Sequence, residues 1–432
     1  MSISSSLNAG VAGLAANATR MATIADNIAN AATFGYKRST VDFRAMVIDI
    51  PGGASYAAGG VRVATGRAVD ERGAIVGTSN ATDLAMDGRG FIPVTTMAGL
   101  AGGDRPLSLV TTGSFRPDAD GILRTESGHV LMGWPTDRDG KVGSVPRDTT
   151  SALVPVQIDR TMLVANPTTR VGLAVNLPAT ATIAGAEGTA QSASVEYYGN
   201  LGTSERLSVS FAPTVPATGA SNTWTMTIRD SASADAIVGE YTLVFDDSQT
   251  EGGTLASVTT LSGGTYDAPT GTIPLTVGGG TMTLTIGLIG ARDGMTQYAA
   301  PFSTARVDRD GSPPAGIAGL EVDTAGFLNA VYDQGFSRRL FQIPVVDVAN
   351  PNGLKAANDQ AFRVTPESGA FFLWDAGTGP AGSVVGFSRE ESATDVAAEL
   401  TRMIQTQRAY SSNAKVIQTV DEMLQETTNI KR

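Results

Sequence analysis

The sequence predicts an α+β protein: long N- and C-terminal α-helices pairing as a coiled coil, with mostly antiparallel β domains inserted between them. Three observations carry that expectation. Apolar stripes of seven-residue period occupy both chain ends. Period-2 alternation fills the middle, and turn residues separate the alternating runs. The chain has 432 residues, 50 of them Gly and 20 Pro, which is too long for one ordinary domain and rich in turns.

The N-terminal stripe runs Ile3, Leu7, Gly10, Leu14, Asn17, Met21, Ile24, Ile28 and Ala31, with Val11, Ala18 and Ala25 widening it. It stops at Thr33-Phe34-Gly35-Tyr36, where Gly35 suits a left-handed C-terminal position. The C-terminal stripe runs Val396, Leu400, Met403, Gln407, Tyr410, Ala414, Ile417 and Leu424, with the polar Asp421 before the last and Ile404, Val416, Val420 and Met423 on its flank. Ser392-Ala393-Thr394-Asp395 has capping-box spacing and places the helix start near Ser392. The glycine-rich stretch 377–386 before it reads as a hinge or linker.

Between the ends, Leu207-Val209-Phe211, Trp224-Met226-Ile228, Leu243-Phe245 and Met282-Leu284-Ile286 alternate as half-buried strands do. The expected domains are an inner one of helices 1–45 and 388–432, an extended connector 46–75, a first β domain 76–150 plus 300–387, and an outer β insertion 151–299. Apolar side chains of two such helices, buried only on each other, would offset the backbone entropy of ordering them marginally at best. Neighbouring copies would supply the missing burial, so the helices are expected to fold on assembly.

Composition removes many functions. The net charge of −11 and pI near 4.7 argue against a nucleic-acid binder. No cysteine means no disulfide, thiolate metal site or cysteine nucleophile, and His129 is the only histidine. His129 near Ser127 or Ser114 could suggest hydrolysis, but no nucleophile-elbow sequence is present. The Asp118-Asp120, Asp137-Asp139 and Asp308-Asp310 elements lack the later ligands of a calcium loop and read as β-turns. No catalytic, metal or cofactor residue is expected, and neither membrane insertion nor a cleaved signal peptide.

The residues at both ends resemble the bacterial flagellar rod/hook axial protein family, its hook members most closely. The segment from Asp26 through Asn27, Asn30, Thr33, Gly35, Tyr36 and Lys37 to Arg38 is similar to the N-terminal signature, with Asp26 where the family usually has a second Asn. Asp83–Phe91, Thr112–Phe115 and Asp118–Leu123 resemble two further family segments, and Glu399–Tyr410, with Gln407 and Arg408, resembles the C-terminal signature. Arg389 and Ala393-Thr394 depart from the family's usual Leu and Asn-Val, as does Val348 from an expected aromatic.

The resemblance implies a curved helical tube joining rod to filament, an elastic universal joint around an export channel. It implies self-assembly through Ile3, Leu7, Val11, Leu14, Met21, Ile24 and Ile28 of one helix and Val396, Leu400, Met403, Ile404, Tyr410, Ile417 and Leu424 of the other. Glycine joints at Gly52-Gly53, Gly59-Gly60 and 377–386 would let outer domains slide. The implied partners are further copies of the chain, rod proteins, hook cap and hook–filament junction proteins, and the flagellar type III export apparatus. The implied location is the flagellum, outside the cell. A rod protein of the same family is the alternative, and a surface β-rich adhesin is the reading from another class.

Overall fold

The computed structural model describes residues 3–46, 58–103, 105–137, 139–159 and 161–430. The molecule is mostly β with a long helix at each end, and it divides into two compact units. The first comprises Met1–Arg160, Ala318–Val331 and Ser337–Arg432; the second comprises Thr161–Ile317 and Tyr332–Phe336.

In the first unit, helix α1 spans Ile3–Ala29, a short helix α2 spans Met97–Gly102, and helix α3 spans Val396–Ile430. Strands β1 (Ser39–Ala45) and β2 (Val61–Arg67) pair antiparallel along their full length, Ser39 opposite Arg67. The described part of the stretch 46–75 is not simply an extended connector: Val61–Arg67 is the second strand of this hairpin, and Ile75–Gly77 pairs with Ser388–Glu390. Gly52 and Gly53 lie outside the described residues. The glycine-rich stretch 377–386 is likewise folded in, because Ser383–Val385 pairs with Asp83–Asp87 and the Gly382 N–H donates to the Arg89 carbonyl at 2.7 Å.

The main sheet of this unit is built around strand His129–Pro135, which pairs antiparallel with Ile92–Thr96 and with Ser337–Gln342. One face buries Phe91, Trp134, Leu109, Phe362 and Val346. Their side chains alternate along short strands, so each strand gives one face to this core.

The second unit is a two-sheet sandwich. Five antiparallel strands, from Gln191–Tyr198 to Leu255–Ser262, follow one another in simple sequence order. The other sheet is mixed: Arg170–Pro178 runs parallel to Gly280–Thr285 and Thr296–Tyr298 but antiparallel to Ser303–Arg309. The core between the sheets holds Leu207, Val209, Phe211, Trp224, Met226, Ile228, Leu243, Met282, Leu284 and Ile286, the residues that alternation marked. The unit continues to Ile317 rather than ending at 299, because Ser303–Arg309 is a strand of its sheet. That strand is solvent-exposed throughout, so no alternation marks it in the sequence.

Candidate assembly surface and the signature corner

Helix α1 ends at Ala29, and the chain reverses through Gly35, whose φ is +70°. The Gly35 N–H donates to the Glu390 carbonyl at 2.8 Å, and a Cβ here would come within 2.8 Å of Thr112 Cγ2. Both the left-handed backbone and the close approach call for glycine. The Tyr36 hydroxyl lies 2.9 Å from Asp26 Oδ2 and 3.0 Å from Asn27 Oδ1, one donor shared by two acceptors. Asn27 Nδ2 donates to the Ser39 carbonyl at 3.0 Å while its Oδ1 accepts from the Ser39 N–H at 2.8 Å. The buried amide thus stands in for a strand partner and fastens the helix to β1. Asn30 Nδ2 donates back to the Asp26 carbonyl at 2.9 Å, and Thr33 Oγ1 donates to Asn30 Oδ1 at 3.3 Å.

Lys37 is wholly buried. Its Nζ lies 2.7 Å from Glu390 Oε1 and donates to the Glu71 carbonyl, also at 2.7 Å. Glu390 Oε1 additionally accepts from the Gly73 N–H at 2.9 Å. Burial pushes the Lys37 amine below its ordinary value, and the Glu390 carboxylate opposes that shift. Arg38 grips Glu71 with Nε at 3.1 Å and Nη2 at 2.9 Å, and reaches toward the buried Glu399 in the first turn of α3. The N-terminal signature therefore forms a polar corner that joins α1, the strand after it and the entrance to α3. Its acid partners Glu71 and Glu390 carry no mark in the sequence, and Glu399 stands there only as part of the C-terminal signature, since nothing in a lone lysine names a partner 353 residues away.

Helix α3 begins at Val396. Its cap is Asp395, whose Oδ1 accepts from the N–H groups of Ala397 (2.9 Å) and Ala398 (3.2 Å). Ser392 does not start it, because the Glu391 and Ala393 N–H groups are committed to the carbonyls of Ala74 and Tyr36.

Helices α1 and α3 pack antiparallel at small residues. A Cβ on Gly10 would lie 3.1 Å from Ile417 Cγ1, and one on Gly13 would lie 2.8 Å from Asn413 Nδ2. The buried residues of α3 are Glu399, Thr406 and Val420, with Met403, Asn413, Ala414 and Ile417 half-buried. The seven-residue spacing holds, but part of the buried face sits one residue before the expected one: Glu399, Thr406 and Val420 instead of Leu400, Gln407 and Asp421, while Asn413 and Ala414 are both half-buried. Small and polar side chains permit the close approach, and the large apolar ones are turned outward. Val396, Leu400, Ile404, Tyr410, Val416, Met423 and Leu424 are all exposed, from 38% for Leu424 to 53% for Ile404. On α1, Ile24 is buried, Leu7, Leu14, Met21 and Ile28 are half-buried, and Val11 is exposed. The Ile3 side chain lies outside the described residues. Gln407 and Arg408 both face solvent.

Gly59 and Gly60 lie just before β2. A Cβ on Gly59 would meet the Met46 carbonyl at 2.0 Å, and Gly60, at φ +79°, faces Ala12 of α1. Ser127 Oγ bonds Thr125 Oγ1 and Ser114 Oγ donates to Asp83, so neither serine is hydrogen-bonded to His129. The aspartate-glycine turns are closed internally: Asp118 Oδ1 accepts from the N–H groups of Asp120 and Ile122, and Asp137 Oδ1 from those of Asp139 and Lys141.

Three family models match this chain. "Flagella basal body rod protein" covers residues 7–37, "Flagellar basal body protein FlaE D2 domain" covers 166–312, and "Flagellar basal body rod FlgEFG protein C-terminal" covers 386–430. The two terminal matches meet at the Lys37–Glu390 corner and define the class: an axial structural protein of the flagellum. Full-length relatives narrow the class. The flagellar hook protein FlgE of Rhizobium meliloti is 31% identical over 100% of both chains, and that of Brucella suis 32% identical over 100% of both. The Salmonella typhimurium flagellar hook protein FlgE is 27% identical over 99% of this chain and 100% of its own. The chain belongs to the flagellar hook protein family, and its place is the bacterial flagellum.

Proposed function

We propose that this hook subunit polymerises into a curved, flexible tube through its two terminal helices, acting mechanically and without catalysis. The observation that carries the reading is the row of exposed apolar side chains along α3. A lone chain leaves seven large side chains there roughly half in water. Burying the remainder against neighbouring helices would contribute roughly 5–10 kcal/mol per subunit. The coiled-coil partner of that face is a helix of another copy, while the α1 contact uses the small-residue face. A head-to-tail contact that does not close produces a filament. In the assembled tube the helices line an export channel, the β units lie outside, and torque passes from rod to filament. The rod, the hook cap, the junction proteins and the type III export apparatus are its partners.

Removing residues 392–432, or residues 1–35, tests the reading. Either truncation is expected to abolish tubes in electron micrographs of the purified protein, while the second unit keeps its thermal transition. Undiminished tube yield after either truncation would overturn it.

A further inference from the structure

The exposed apolar side chains of α3 do not share one face. At about 3.6 residues per turn, Val396, Leu400 and Ile404 form a ridge on one flank of its N-terminal part. Val416 and Met423 lie on the other flank, in the C-terminal half and about 150° further round the helix. Between the flanks, on the side away from α1, stand the exposed charges Arg408, Lys415, Glu422 and Glu426. We propose that the two flanks are each other's partners: the N-terminal flank of one copy's α3 packs, parallel and staggered, on the C-terminal flank of the next copy's α3. The proposal deepens, and rests on, the polymer reading above.

Three observations select that occupant. The first is the length of each flank. The N-terminal one continues as Gln407, Ser411 and Gln418, and the C-terminal one is preceded by Gln405 and Ser412, all polar. Each apolar patch is therefore part of a helix long, and like helices cover both patches only when displaced along their axes. A shift of about 20 residues, ~30 Å, sets Leu400 and Ile404 level with the stretch from Val416 to Met423. The second is charge. The same shift brings Arg408 within about one turn of the neighbour's Glu426, on the same rim of the contact. Among the described residues Arg408, Glu422 and Glu426 have no ion-pair partner, so the rim is free to pair across copies. The third is the alternative surface. Helix α1 exposes Ala15, Ala18, Ala22 and Ala25, with Val11 its one exposed large apolar side chain among the described residues. Flank against flank removes more apolar area from water than either flank against α1.

The two flanks differ, so the contact is head-to-tail and repeats without closing on a pair. They stand about 150° apart across the charged ridge rather than 180°, so the row of helices curves with Arg408, Lys415 and Glu422 on its concave side.

The chain has no cysteine, so engineered ones react alone. The experiment treats full-length polymer, verified by electron microscopy, with a short bis-maleimide linker and runs it on a denaturing gel. Ile404→Cys combined with Met423→Cys is expected to give a ladder of dimers, trimers and longer multimers, and each single variant only monomer. Arg408→Cys with Glu426→Cys, at the exposed rim, should give the same ladder and serves where the apolar pair disturbs the tubes. Tubes without a ladder from either pair overturn the proposal. Dimers from Ile404→Cys alone overturn it too, since like flanks would then meet. So does a ladder from Ile404→Cys with Ala18→Cys in place of the expected one, which would make α1 of the neighbour the occupant. A native chain that forms no tubes defeats the polymer reading, and this pairing with it.

Discussion

The second unit and the helical layer of the first spend their apolar residues in opposite ways. In the second unit Phe211, Trp224, Met226, Tyr241 and Leu243 are sealed between two sheets. Along α3 the buried positions belong to Glu399, Thr406 and Val420, while Leu400, Ile404 and Met423 face solvent. One region completes its core within the chain. The other is positioned by polar pegs and small-residue contacts, and leaves its large apolar side chains half in water. A subunit that folds and then assembles needs both kinds of region, because a part already satisfied has nothing left to drive association.

The largest expected effect tests whether the helical layer is held by its polar corner. Lys37→Met leaves Glu390 buried opposite a methyl group, and breaking a fully buried pair costs about 3–5 kcal/mol. The urea transition of the first unit should shift accordingly, with the second unit unmoved. Lys37→Met combined with Glu390→Gln should recover part of the loss. A neutral single mutant would mean that the layer is fixed by apolar packing after all, and the contrast between the regions would fail.

The second unit has buried polar ties of its own, and Asp230 centres one of them. Asp230, fully buried, accepts from the Tyr197 hydroxyl at 2.6 Å, the Ser233 hydroxyl at 2.7 Å and the N–H groups of Gly278 and Ala232. Burial alone would raise its pKa, but these donors outweigh it and hold the carboxyl below the ordinary aspartate value of 3.8. The folded value is the lower one. The stability it contributes is thus fully present above pH 3.8 and is lost as pH falls toward the folded value. Asp230→Asn should cost about 2–3 kcal/mol at neutral pH, since the charge-assisted bonds become ordinary ones and one N–H finds no acceptor. It should also flatten the acid limb of the second unit's melting curve. An unchanged acid limb in that variant would place the pH sensitivity elsewhere.

What could be read from the sequence follows from what is local. Leu207-Val209-Phe211 and Trp224-Met226-Ile228 alternate because each strand has one buried face, so period alone locates that core. The seven-residue period of both helices was equally visible. In α3, which half of the period turns inward was not, because Gly10 and Gly13 let it approach along Asn413 and Ile417, a choice made by the partner helix. The signature residues Asn27, Tyr36 and Lys37 stood out by resemblance, but their work depends on Ser39, Glu71 and Glu390, contacts that only the fold creates. The cap is Asp395 and not Ser392 for the same reason: backbone bonds from Glu391 to Ala74 and from Ala393 to Tyr36 flank Ser392.

The smallest effect on the monomer should be the most informative about the polymer. Ile404 is 53% exposed, the highest of the large apolar α3 side chains that face outward. Ile404→Ser removes apolar area that is already half in water, so monomer stability should change by no more than about 0.5 kcal/mol. If α3 packs on a neighbouring copy, the same change removes about 1 kcal/mol or more from each repeated contact, a factor of five to ten in the association constant. The critical concentration for tube formation, measured by sedimentation, should rise by that factor, and adding Leu400→Ser should multiply the rise. A helix whose outward face merely tolerates solvent predicts no change in either measurement. One that completes its core in a neighbour predicts a silent monomer and a weakened polymer, because the energy of those side chains is realised only on assembly.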